Sequence, residues 1–245
     1  MLSFPEYLAH VDADAHLLAA AAARGLDARV PGCPGWSVID LIDHVAKVYS
    51  SRIDIVEQKL ADRWPPRRPR PDGVDPLDWF RTEAARMVEL LGDADPAQPA
   101  TSFTRDRTVG FWIRRMAHET VIHRIDAEQA HRYESVIDPE LAVDGVAEMF
   151  EVFITRHRGE FIPGNEVVRV LTGDSSWTAR LGRLVDPRGD ETPKAVLESG
   201  AEPDAVLTGE PERVLLWMWG RASSDEVMVS GDADLTRRFR EVCSV

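Results

Sequence analysis

Apolar residues recur along the first part of the chain at helical spacing and later in alternation. Leu8, Val11, Ala15 and Leu18 predict a first helix over 4–23. Ser3 and Glu6 form its capping box and Gly25 ends it. Two Pro-Gly steps over 31–35 make a tight turn. A second helix follows, capped by Ser37 with Asp40 in the capping-box position and Trp36 stapled on Leu41. Its apolar face is Val38, Leu41, Ile42, Val45 and Val48, with His44 at the border. A Pro-rich loop over 64–74 precedes a third helix, which starts at Asp75 with Pro76 in its first turn and stops at Gly92. A fourth helix spans 111–129 and a fifth runs from Pro139 to about residue 155. Beyond residue 158 the period falls to two. Strands are predicted over 166–172, 176–185, 204–208 and 227–230, with a short apolar helix over 212–219 and a last helix over 232–242. The expected fold class is α+β: antiparallel helices over 1–158, then a small α+β domain over 159–245.

Composition narrows the function classes. The net charge of −13 argues against a nucleic-acid partner, which favours a basic face. Two cysteines, Cys33 and Cys243, make neither a disulfide framework nor a CxxC motif. The first residues, MLSFPEYLAHVDAD, carry charges inside the apolar run and do not read as a signal peptide. No apolar stretch has membrane-spanning length. The expectation is a cytoplasmic protein with reduced thiols and no membrane partner.

The candidate chemistry lies on the fourth helix, FWIRRMAHETVIHRIDAEQ. Glu119, His123 and Asp126 are spaced by four and three residues and share one face. His118 lies about 140° round the helix from His123 at 3.6 residues per turn, so HETVIH is not the H-E-x-x-H zinc motif. A helical bundle with inward His and Glu side chains is a normal place for a metal. His44 with Glu119 and His123 makes a two-histidine, one-carboxylate set that suits zinc with an open fourth position. The alternative is a plain i, i+4 hydrogen-bonded pair between Glu119 and His123. Cys33 reads as a half-buried turn cysteine, with a nucleophile or a fourth ligand as rival readings. Arg114 and Arg115 read as ion pairs on outer faces. Arg67, Arg68 and Arg70 read as a solvated run, with the rim of an anion-binding mouth as the alternative.

Three segments, PGWSVIDLIDHVAKV, FWIRRMAHETVIHRIDAE and DPELAVDGVAEMFEVF, resemble the mycothiol-dependent maleylpyruvate isomerase family. LTGEPERVLLWMWGR resembles that family's second domain. The resemblance implies a DinB-like antiparallel four-helix bundle followed by a small α+β domain. It implies that His44, Glu119 and His123 are ligands of a divalent metal, zinc by preference. Asp126 matches an acidic residue beside the metal, and Arg221 a basic residue that the second domain brings to the pocket. The implied cosubstrate is the sugar thiol mycothiol, whose metal-bound thiolate attacks a small, carboxylated electrophile. Addition, rotation and elimination would give cis–trans isomerisation. Release of the adduct would make the protein a mycothiol S-transferase. A non-catalytic metal- or ligand-binding protein on the same scaffold is the reading from another class.

Overall fold

The computed structural model describes residues 1–66, 68–155 and 159–243. Arg67 and the part of the expected domain break at 156–158 lie outside the described residues. The fold is α+β, as expected. The chain divides into two compact units, 2–136 and 137–245.

The first unit holds α1 (Phe4–Ala22), α2 (Val38–Glu57), α3 (Pro76–Asp93) and α4 (Val109–Ala130). α1 packs on α4 and α2 on α3, while α1–α3 and α2–α4 contacts close the ring. Thus α2 sits diagonally from α1 and beside α4, which brings the histidine helix next to the carboxylate helix. Both capping boxes form as expected: the Ser3 and Ser37 hydroxyls and backbone N–H groups donate to Glu6 and Asp40. Leu41, Ile42, Tyr49, Ile53, Phe80 and Trp112 are fully buried and make the core. α4 is covered almost all round, with Arg115, His118, Thr120, His123, Arg124 and Asp126 among its buried residues. The Pro-rich loop is latched rather than solvated: Arg68 reaches Asp54 at 2.7 Å and Arg70 reaches Asp43 at 3.0 Å, both on α2.

The second unit opens with α5 (Pro139–Glu148), which runs on as a π-helical stretch, Met149–Ile154. Then come β1 (Glu160–Thr172), β2 (Ser175–Val185), β3 (Glu191–Leu197), β4 (Ala205–Thr208), α6 (Pro211–Met218), β5 (Met228–Gly231) and α7 (Ala233–Cys243). The sheet order is β3-β2-β1-β4-β5. β1 pairs antiparallel with β2 and parallel with β4. Its ladder breaks between Pro163 and Val167. The sequence reading missed β3 because Pro193 interrupts the pattern; a proline is tolerated there since β3 is an edge strand. Phe150 stacks between Trp177 and Phe239, both at 5.9 Å.

The expected boundary at 158/159 gives way to one at 136/137. The reason is packing. Val214, Leu215, Leu216, Trp217 and Met218 on α6 are all buried, and α5 and α7 are the helices that cover them. α5 therefore belongs with the sheet. Among the described residues, no helix is long and apolar enough to cross a membrane.

Candidate metal centre

α2 and α4 position the three expected ligands. Ser37 starts α2 so that His44 faces α4, and Thr108 caps α4 by accepting from the Phe111 N–H. His44 Nε2 lies 3.2 Å from Glu119 Oε1, and His123 Nε2 lies 3.4 Å from the same oxygen. The two imidazole rings are 5.1 Å apart. All three donor atoms lie within 4.8 Å of one another. Trp36 packs on His44 with ring centroids 5.0 Å apart, a contact that the predicted staple on Leu41 did not anticipate. The His44 side chain is 38% exposed and those of Glu119 and His123 are 14% and 11%, so the set is reached from the His44 side.

Two further groups hold this set in place. Arg115 donates to Glu119 Oε2, leaving Oε1 to the imidazoles. Arg115 is buried, so the reading that placed it on an outer face is corrected. The signal was present: an arginine four residues before a glutamate shares its helical face. Asp126, with no exposed side-chain surface, lies 3.0 Å from His123 Nδ1 through Oδ2. A proton on Nδ1, donated to Asp126, leaves the Nε2 lone pair directed at Glu119 and His44. The Cys33 thiol donates to the same Asp126 oxygen at 3.5 Å. Cys33, His123 and Asp126 form a second cluster of donor atoms that shares only His123 with the first. Cys33 therefore stands behind His123, outside the three-donor set.

The electrostatics follow from these contacts. Burial alone would raise the Glu119 carboxyl. The Arg115 charge and hydrogen bonds from His123 and His44 outweigh that, and it stays well below the usual carboxylate range. Burial works against a charged His123, but hydrogen bonds to Asp126 and Glu119 push it up to about 9. A proton on His123 and a cation compete for one lone pair, and the surrounding carboxylates favour either. Two imidazole nitrogens and one carboxylate oxygen, with that carboxylate's second oxygen anchored, fit a divalent cation.

Arg221 lies in the second unit, just after Gly220 at φ +76°. It donates from Nη1 to the Trp219 carbonyl at 2.6 Å, and its guanidinium lies 6.0 Å from the Trp219 ring. A cavity of about 350 Å³ in the same unit is lined by Leu181, Pro193, Val242 and the Glu166–Arg238 pair, and it holds none of the candidate site residues.

Two family models match the chain. The model of the mycothiol maleylpyruvate isomerase N-terminal domain matches residues 8–128. The model of the MDMPI C-terminal domain matches residues 140–238. No curated protein matches the chain. A crystal structure of the mycothiol-dependent maleylpyruvate isomerase is similar at 15% identity, with 95% of each chain covered and a TM-score of 0.64. A histidine-to-alanine mutant of that isomerase is similar at 14% identity, with the same coverage and TM-score. These structures share the fold, and the two domain models between them cover both units. The chain belongs to the mycothiol-dependent maleylpyruvate isomerase family.

Proposed function

We propose that this protein is a mycothiol-dependent metalloenzyme that acts on a small, carboxylated electrophile, in the manner of a maleylpyruvate isomerase. The observation that supports this reading is the meeting of His44 Nε2, Glu119 Oε1 and His123 Nε2 around one point. In this reading His44, Glu119 and His123 hold a divalent metal, zinc by donor type. Bound there, the metal supplies a positive charge that lowers the pKa of a thiol presented to it. The chain's residues prepare for that. Arg115 fixes the Glu119 carboxylate, and Asp126 keeps the His123 proton on Nδ1. Asp126 thus orients a ligand and can take up or return a proton beside the reacting thiol. Arg221 keeps the role that family membership suggests, a planar cation matched to a substrate carboxylate.

Elemental analysis tests the metal. Wild-type protein should hold it stoichiometrically, and His44→Ala, Glu119→Ala and His123→Ala should each lose it. Unchanged content in all three variants would overturn the assignment. Assays with and without mycothiol then test the chemistry. Isomerisation leaves the thiol concentration constant, whereas S-transfer consumes it.

A further inference from the structure

One covered cation in the first unit takes no part in the metal set. Arg52 lies on α2 eight residues beyond His44, roughly 12 Å along the helix at 1.5 Å per residue. Its guanidinium lies 4.2 Å from the ring centroid of Trp112 and 5.3 Å from that of Trp64. Trp112 is fully buried and donates its indole N–H to the Thr101 carbonyl at 2.9 Å. Trp64 is 48% exposed. One ring closes the place from inside and the other stands at the solvent.

Several other arginines of this unit end on carboxylates, while Arg29 ends on the Gly35 carbonyl and Arg24 lies over the exposed Tyr133 ring. Arg70 meets Asp43, Arg86 meets Glu57, Arg115 meets Glu119 and Arg124 meets Asp14. Among the described residues, Arg52 meets none. Its one side-chain acceptor is the Ser51 hydroxyl at 2.9 Å, and its Nε is buried without a hydrogen-bond partner. The indoles do not remove that deficit. The two ring planes stand 82° apart, so the planar guanidinium lies flat on at most one of them, and an indole face is only a weak acceptor for its N–H donors. Burial pulls Arg52 down to about 10, against the pull of Glu119, and it remains charged at neutral pH. The chain has 42 acidic residues to 29 basic ones, so acids are not scarce. A charged fork beside two indoles, with in-plane donors left unmet by any carboxylate, can receive an anion.

We infer that Arg52, flanked by Trp64 and Trp112, is a binding subsite for a small planar carboxylate. The in-plane donors take the two carboxylate oxygens, and the half-exposed indole covers the ligand's plane. As the place that holds a carboxylated electrophile, this subsite rests on the function proposed above; as an anion site, it does not.

Sodium benzoate is the probe, with benzamide as its uncharged counterpart. The full-length chain is titrated with each, before and after chelation, and followed by tryptophan fluorescence and calorimetry. Benzoate should bind saturably and at least tenfold more tightly than benzamide. Arg52→Gln should weaken benzoate at least tenfold, and Arg52→Lys, which keeps the charge but loses the fork, by about threefold to tenfold. Absence of saturable benzoate binding, an equal response to benzamide, or unchanged affinity in folded Arg52→Gln overturns the subsite. If Arg52→Gln does not fold, unchanged affinity in Arg52→Lys overturns it instead. His44→Ala should bind benzoate as the wild type does, so a failure of the metal reading leaves this result standing.

Discussion

α4 in the first unit and α6 in the second are both buried, but with opposite contents. α4 encloses Arg115, His123, Arg124 and Asp126 along with its apolar residues. α6 buries Val214, Leu215, Leu216, Trp217 and Met218 in succession and keeps Arg213 at the surface. Even the same ion pair differs between the units. Arg115–Glu119 is almost covered, while Arg238–Glu166 leaves its side chains 37% and 43% exposed. Burying ions is expensive, and an apolar replacement is often as stable or more so. α6 shows that this chain can pack a helix without buried charge, although α5 in the same unit buries Asp144 and Glu148. The ions in α4 therefore need a reason other than stability; for Arg115, Glu119, His123 and Asp126, which form one chain of contacts, the proposed metal site is that reason, whereas Arg124 pairs apart with Asp14.

The largest expected effect tests that argument directly. Glu119→Ala should lower stability by about 3–5 kcal/mol, because Arg115 and a protonated His123 lose their shared carboxylate while still buried. Chemical denaturation measures it, and metal content should fall with it. A near-neutral result would mean that the first unit tolerates unpaired charge. Phe239→Ala, which empties the stack on Phe150, should cost a comparable ~3–5 kcal/mol by loss of packing. Here metal content should stay at the wild-type level, and a loss of metal would dissolve the contrast between the units.

Smaller effects sharpen the comparison. Chelation should lower the melting temperature, since a ligand at a hundredfold its Kd adds about 2.7 kcal/mol. His44→Ala should abolish that metal-dependent increment. Asp126→Asn should weaken metal binding about tenfold to a hundredfold by loosening His123, the usual range for such a partner. It should also remove most turnover; normal turnover would leave Asp126 a purely structural carboxylate. The smallest effect lies at the surface. A hydrogen bond from Arg238 holds Glu166 below the usual carboxylate range. Its contribution is present above the unfolded pKa near 4.3 and is lost as pH falls through the lower folded value. Glu166→Gln should change stability by no more than about 1 kcal/mol at neutral pH, and flatten the acid limb of the curve.

Much of the site was legible because it is local. Glu119, His123 and Asp126 share a helical face by spacing alone, and Ser37 with Asp40 announced the helix that carries His44. Arg115 was misread because a charged residue next to another arginine looks like a surface residue. Its burial, like that of most residues of α4, is visible only in the folded chain. The role of Arg52 was invisible for a related reason: its two tryptophans lie on a loop and on another helix. The domain boundary failed because helix five carries no local sign of its partner. α5 is amphipathic, and whether its apolar face meets a bundle or α6 is decided about seventy residues later along the chain, by the segment that packs on it.

β1, the central strand, has neighbours of two kinds, and this sets the order in which its edges close. The hairpin to β2 turns through Gly173 and Asp174, with Gly173 at φ +54°, and such hairpins form in roughly 1–10 μs. The parallel pairing of Val168 with Ala205 joins positions 37 residues apart and needs β4, which follows β2 and β3 in the chain. During synthesis, β1 therefore offers one open edge to any other strand until β4 emerges. α5, made before the sheet, waits longer still, because α6 follows β4. The second unit is thus most exposed to mispairing in the interval when its first helix and central strand exist but neither has its last partner.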